Sequence, residues 1–308
     1  MDALFADVSN FEDEIFAMIA EEKSYSHKFA PHAVGNPVPI PRNYKEAVND
    51  PVFGPQWSEA VHTEIRQLIA NGTFPETKRP IGKNILTGRW VFDVKYTVNG
   101  GVERFKARLV ARGFSQQYGE DYFNTFAPTM RADALRILLA LIAMYDYEAI
   151  QVDVTNAFSL AKLKEIAYMR PVEGMEAYME DSTNNVMKLE QSLYGLKQAA
   201  YEWYQLCRAE LEKMGYKPLS ADPCIFRKGR ILVGVYVDDI IVAAPKMTDL
   251  DRFKQDFGQR FKTKDLGELN RILGMRITRD RADRAIYLDQ EQYLEDVDKV
   301  SDASQVQV

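Results

Sequence analysis

The sequence predicts an α+β fold, an antiparallel sheet backed by helices on one side. Three observations predict it. Short apolar strands and apolar helical stretches follow one another in the order β-α-β-β rather than in strict alternation. Residues 88–114, GRWVFDVKYTVNGGVERFKARLVARGF, alternate apolar and polar side chains on both sides of Asn99-Gly100-Gly101, a hairpin signal. No glycine-rich phosphate loop of the Gly-x-Gly-x-x-Gly or Gly-Lys-Thr type occurs, so the usual mark of a doubly wound parallel sheet is missing. The 308 residues suffice for one large domain or two medium ones.

The elements read in order as follows. Residues 4–20, LFADVSNFEDEIFAMIA, have the apolar spacing of a short amphipathic helix that tethers or packs. Residues 30–41 carry four prolines and read as an extended linker. Tyr44 to Asn71 reads as helix, with Trp57, Val61, Ile65 and Leu68 on one face and Asn71-Gly72 as its stop. After the hairpin, residues 131–146 form a strongly apolar helix, and EAIQVDVTNAF (148–158) reads as a strand. A polar connection leads through SLYGLKQ (192–198) to an aromatic helix over 199–214. RILVGVYVDDIIVAAP (230–245) then gives two short apolar strands around Asp238-Asp239. A helix near 248–261, a strand over 271–280 and a hairpin to 285–290 complete the chain.

Composition excludes several classes. Cys207 and Cys224 are the only cysteines, too few for a disulfide framework, and they form no Cys-x-x-Cys zinc pair. Three histidines, His27, His32 and His62, leave little room for histidine-centred acid–base or metal chemistry. No stretch approaches 18 uncharged apolar residues, and the first residues are acidic where a signal peptide would be basic. An intracellular, soluble chain without a membrane partner is expected.

The net charge of −6 speaks against a nucleic-acid binder until its distribution is considered. Residues 1–30 hold seven acids against two bases, whereas residues 78–117 hold nine bases against two acids. Within that basic stretch Arg104, Lys106 and Arg108 lie two apart, so on one strand their side chains share a face. The resulting row of cations, about 6.5–7 Å apart, suits a triphosphate or a nucleic-acid backbone. A solvated charged hairpin would carry the same residues.

Asp153 stands within an apolar strand, and Asp238-Asp239 stand at the tip of an apolar hairpin. Buried carboxylates are costly without a positive partner, and neither motif holds a base. Their convergence invites one or two divalent cations, and the chemistry that needs such ions is in-line phosphoryl transfer. Asp238 shares a strand face with Tyr236 in this reading, and neighbouring antiparallel strands bring Asp153 alongside. Asp-Asp is also a turn sequence, although turn chemistry alone favours Asn-Gly or Asp-Gly. A magnesium nuclease or phosphatase would carry His or Lys beside the acids, and no histidine lies in these motifs.

Tyr236-Val237-Asp238-Asp239 within its apolar hairpin resembles the active-site hairpin of reverse transcriptases. WVFDVKY (90–96), FKARLVARGFSQ (105–116), YFNTFAPTMR (122–131), VDVTNAF (152–158), SLYGLKQA (192–199) and DLGELNRILGMRI (265–277) resemble the copia-type long-terminal-repeat retrotransposon family, in its order and spacing, over residues 41–297. The resemblance implies a right-hand polymerase: an acidic segment and linker over 1–40, fingers over 41–149, a palm with an antiparallel sheet over 150–280 (160–200 partly returning to the fingers), and a truncated thumb over 281–308. It implies extension of a primer on an RNA or DNA template with deoxynucleoside triphosphates and two Mg²⁺ ions, with Mn²⁺ able to substitute. Other products of the retrotransposon polyprotein are the implied protein partners.

Carried over residue by residue, the resemblance makes Asp153, Asp238 and Asp239 the catalytic acids and metal ligands, with the Val154 carbonyl as a further ligand. Lys106 and Arg108 match the bases that grip the incoming triphosphate. Phe158 matches the aromatic gate that collides with a ribose 2′-hydroxyl. Tyr194, Gly195 and Gln198 match the loop lining the nucleotide pocket. Tyr236 and Val237 belong to the active-site hairpin, and Gly274 and Met275 match the element that seats the primer end.

The chain departs from the family at Ser159-Leu160, where Leu-Asn is usual, and at Ala199-Ala200-Tyr201, where a small residue, Pro and often Arg are usual. It stops at Val308, near the expected palm limit, so a largely missing thumb and a weak hold on primer–template are expected. A catalytically weak or inactive remnant that binds nucleic acid without polymerising is therefore the alternative.

Overall fold

A computed structural model describes residues 38–97, 101–291 and 294. The expected N-terminal helix, most of the proline-rich linker, Asn99-Gly100 of the hairpin turn and the stretch 295–308 lie outside the described residues.

In chain order the helices are α1 (Tyr44–Val48), α2 (Gly54–Ala70), α3 (Ala132–Met144), α4 (Ala199–Lys213) and α5 (Met247–Gly258). The first seven strands are β1 (Glu76–Lys78), β2 (Ile85–Leu86), β3 (Gly88–Tyr96), β4 (Val102–Ala111), β5 (Glu148–Val154), β6 (Lys162–Met169) and β7 (Asn185–Gln191). They are followed by β8 (Lys217–Pro218), β9 (Ile225–Lys228), β10 (Ile231–Tyr236) and β11 (Asp239–Ala244). The last four are β12 (Thr263–Glu268), β13 (Arg271–Ile272), β14 (Met275–Asp280) and β15 (Ala285–Asp289). The chain divides into two compact units, one made of residues up to Phe126 with Phe158–Glu202, the other of Ala127–Ala157 with Trp203 onward. No helix among the described residues is long and apolar enough to cross a membrane.

In the first unit the helix expected over 44–71 is broken. Pro51 disfavours helical backbone before it, and Asp50 Oδ1 accepts from the amides of Val52 and Phe53, turning the chain between α1 and α2. Trp57, Val61, Ile65 and Leu68 are all buried on one face of α2, each contributing about 1.5–3 kcal/mol. Asn71 caps the helix and Gly72 takes φ 69°, so the expected stop is where it forms. The β3–β4 hairpin pairs Asp93 with Lys106 and Val91 with Arg108, and Trp90, Phe92, Val94, Ala107 and Leu109 enter the core. Residues 160–191, read as a polar connection, instead hold β6 and β7. These join a four-stranded sheet of order β1-β7-β6-β2 in which the β2–β6 pair is parallel. β6 runs against β7 with a register shift between Lys162 and Ala167, which interrupts the alternation that would mark it as a strand.

The second unit is built on a six-stranded sheet of order β12-β5-β11-β10-β9-β8, antiparallel at every pairing. Its central strands are almost wholly buried: Ile240, Ile241, Val242, Ala243 and Ala244 of β11 have no exposed surface. Leu135, Leu138, Leu139 and Ile142 of α3 share a core cluster with Ile241, Ala243, Ile272 and Ile277. β13, β14 and β15 form a separate three-stranded sheet. The α+β class expected from the sequence is therefore what forms.

Candidate active site

The acidic hairpin is in the second unit. Tyr236 of β10 pairs with Asp239 of β11, leaving Val237-Asp238 as the two-residue turn. Asp238 thus sits in the turn, whereas the sequence reading places it on a strand face shared with Tyr236; because Tyr236 pairs with Asp239, Val237 and Asp238 together make the turn. Val237 has φ 55°, a left-handed conformation that costs a β-branched residue about 1–3 kcal/mol. The surroundings hold it there. Trp203 Nε1 donates to the Val237 carbonyl at 2.6 Å, and the buried Trp203 ring stands edge-on to Phe261 with centroids 5.3 Å apart.

On the next strand Asp153 is the direct partner of Asp239, and the Val154 amide donates to the Asp238 carbonyl at 3.0 Å. Asp153 and Asp239 therefore lie on adjacent strands at one end of the sheet, with Asp238 in the turn beside them. Directly opposed residues of an antiparallel pair place their side chains on the same face, and like charges there destabilise the pair. Gln151 Nε2 donates to Asp239 Oδ1 at 3.2 Å, and Lys264 of β12 is the partner of Asp153 on its other side.

All three acids offer hard carboxylate oxygens, the donor chemistry of Mg²⁺ and Mn²⁺, and the opposed Asp153 and Asp239 are an arrangement that a divalent cation relieves. Among the described residues no three His, Cys, Asp or Glu side chains are gathered closely enough to form a ready metal cluster.

Gly274 and Met275 lie in the same unit, at the turn joining β13 to β14. Leu273 and Gly274 take φ 52° and 75°, a tight hairpin turn, and Met275 packs partly buried on the unit's core.

The first unit holds the second group. Arg104, Lys106 and Arg108 fall on β4 at alternate positions, so the cation row shares one face as expected. Burial, with help from the like charges of Arg108 and Arg104, lowers the Lys106 ammonium to about 8. Burial also raises Asp93, against the pull of Arg108 and Lys106. Arg108 stacks over the Tyr194 ring at 5.3 Å, and Phe158 meets the same ring edge-on at 5.0 Å. Arg108, Tyr194 and Phe158 are thus one contiguous stack.

The loop that carries Tyr194 is locked to β4. The Ala111 amide donates to the Tyr194 carbonyl at 2.8 Å. Gly195, at φ 86°, comes so close that a Cβ there would lie 2.1 Å from the Ala111 oxygen. Gln198 is fully buried: Nε2 donates to the Asp121 carbonyl at 2.9 Å, and Oε1 accepts from Gln116 at 3.0 Å. Its amide therefore braces the loop rather than offering itself to a ligand.

Sequence reasoning passed over Trp203, Gln151 and Lys264. Trp203 grips a backbone carbonyl, for which no side-chain pattern exists. Gln151 carried a signal, being polar and two residues before Asp153 on the same strand face.

Residues 71–306 match the model of the family described as reverse transcriptase (RNA-dependent DNA polymerase). Over 262 residues, 83% of the chain, it is 36% identical to the retrovirus-related Pol polyprotein from transposon TNT 1-94 of Nicotiana tabacum. Over the same share it is 35% identical to that from transposon RE1 of Arabidopsis thaliana. The transposon Ty1-DR4 Gag-Pol polyprotein of Saccharomyces cerevisiae is 26% identical over 73% of the chain. These matches span only 20%, 17% and 14% of the respective relatives.

Proposed function

As the chain belongs to the reverse transcriptase family, in its copia-type retrotransposon branch, we propose that it extends a primer 3′-hydroxyl on an RNA or DNA template with deoxynucleoside triphosphates. The observation that carries this reading is Asp153 directly opposite Asp239, beside the turn bearing Asp238. Two acids opposed on adjacent strands with a third in the neighbouring turn suit in-line nucleotidyl transfer.

Asp153, Asp238 and Asp239, with the Val154 carbonyl, are the residues that would hold two Mg²⁺ or Mn²⁺ ions. Bound there, such ions supply Lewis-acid activation of the primer hydroxyl and neutralise charge on the departing pyrophosphate. Lys106 and Arg108 bind and orient the triphosphate as point charge and planar fork respectively. Phe158 excludes a ribose 2′-hydroxyl by steric contact, and Tyr194 backs it with its ring. Gly195 lets the loop approach β4, and Gln198 keeps that loop in place. Tyr236 and Val237 shape the acidic turn, while Gly274 and Met275 orient the primer end. The partners of the reading are primer–template, deoxynucleotides and further products of the same polyprotein.

Incorporation of dTTP on primed poly(rA) in Mg²⁺ or Mn²⁺ tests the reading. Asp238→Asn is expected to lower the rate roughly a hundredfold or more. Incorporation unchanged by that substitution would remove the metal assignment. Salt-sensitive binding of a hybrid duplex with no addition by the unaltered chain would leave the binding-only alternative.

A further inference from the structure

Glu64 is a buried carboxylate that the proposed reaction does not use. It projects from the apolar face of α2, among Val61, Ile65 and Leu68, and is only 8% exposed. Its Oε1 accepts from the Leu109 amide at 3.4 Å, on the edge of β4 that β3 does not cover. Leu109 directly follows Arg108, and the charges acting on Glu64 are those of Arg108 and Lys106. An anion thus lies behind the strand whose opposite side presents the cation row. Asp93, from β3, faces the same two cations and has Lys95 Nζ 3.5 Å away. The short helix α1 also packs on α2, but its Lys45 is paired with Glu173 and its Glu46 with Asn43.

From this arrangement we infer that Glu64 is a positioning residue of the triphosphate grip, whose acceptor oxygen fixes the edge of β4 and whose ionisation sets how strongly the Lys106–Arg108 row attracts a polyanion. The inference rests on the reading that this row takes the triphosphate. When Glu64 is neutral, no charge at that position offsets the row. When it ionises, one negative charge a few residues away opposes the incoming phosphates in a poorly screened interior. Burial is the main force raising the Glu64 carboxyl to about 7, so the change falls within the physiological range. A ligand that prefers the protonated form must in turn raise the pH at which Glu64 ionises, by linkage.

Glu64→Gln keeps an acceptor for Leu109 and removes the charge. Inorganic tripolyphosphate is the probe, its affinity measured for both proteins from pH 6 to pH 8. Both proteins carry Lys106→Arg, because the Glu64 charge itself raises the Lys106 ammonium, and the ratio of their affinities then cancels the ionisation of the probe. It is expected to be near one at pH 6 and to favour E64Q by about three- to tenfold at pH 8. A ratio that stays flat overturns the inference while leaving the triphosphate reading intact. Arg108→Ala separates the two: it should weaken tripolyphosphate binding at every pH, and binding it leaves unchanged removes both the triphosphate reading and the inference.

A measurement on the unaltered protein covers the case in which E64Q does not fold. In carboxyl-carbon NMR of glutamate-labelled protein, saturating sulfate, fully ionised throughout this range, should move the Glu64 midpoint up by about half a pH unit or more. A midpoint that sulfate leaves in place overturns the inference.

Discussion

Trp203 donates its indole N–H to the carbonyl of Val237, the left-handed residue next to Asp238. The bond spans 34 residues of sequence and joins a buried helical side chain to the backbone of the acidic turn. Trp203→Phe keeps most of the ring and deletes the donor. It should cost about 1 kcal/mol of stability or somewhat more, since a half-buried carbonyl loses its partner. Because the turn then relaxes, the rate of nucleotide addition should fall by about tenfold while the dTTP KM changes little. Urea unfolding and steady-state kinetics measure the two effects, and a stability loss without a rate loss would confine Trp203 to packing.

Gly195 should tolerate no side chain. A methyl group there would sit 2.1 Å from the Ala111 oxygen in a left-handed backbone. Gly195→Ala is expected to destabilise by more than about 2 kcal/mol and to weaken dTTP binding with it. An unfolding midpoint equal to the parent's would show that the loop does not sit against β4 as described.

Lys106 sets a limit at alkaline pH. With its ammonium lowered to about 8, the charged fraction falls as pH rises through that value, and phosphate binding falls with it. The dTTP KM should therefore climb between pH 7.5 and pH 9 by about fivefold or more, whereas Lys106→Arg, which stays charged, should be nearly flat. A matching climb in the arginine variant would assign the effect to another group.

Phe158→Val removes a ring that meets Tyr194 at 5.0 Å. The preference for dTTP over UTP, as a ratio of kcat/KM values, should drop by roughly tenfold or more. An unchanged ratio would take the gate role from Phe158.

The acids were the most legible part of the molecule, because a carboxylate among valines and isoleucines conflicts with its own strand. The cation row was equally plain, since alternation on a hairpin strand fixes which side chains share a face. Where Asp238 sits was not legible: a turn of two residues or a continued strand differ by one position in the pairing, which only the partner strand decides. β12 was hidden for a different reason. Five of its six residues are exposed and Gly267 interrupts it, so no apolar alternation marks its pairing with β5. Glu64 looked like any acid on an amphipathic helix. Its burial depends on the 45-residue reach to Leu109, which periodicity within one helix cannot foresee.

The chain leaves its first unit at Phe126 and returns at Phe158, and β1 finds its partner only when Glu76 meets Met187. During synthesis, then, more than a hundred residues must emerge after β1 before its sheet can close, and Ala127–Ala157 among them belong to the other unit. Neither half corresponds to one uninterrupted stretch of gene. Closing that sheet is for that reason coupled to translation through β7, and a nascent chain arrested before Asn185 exposes the unpaired edge of β1 to its neighbours.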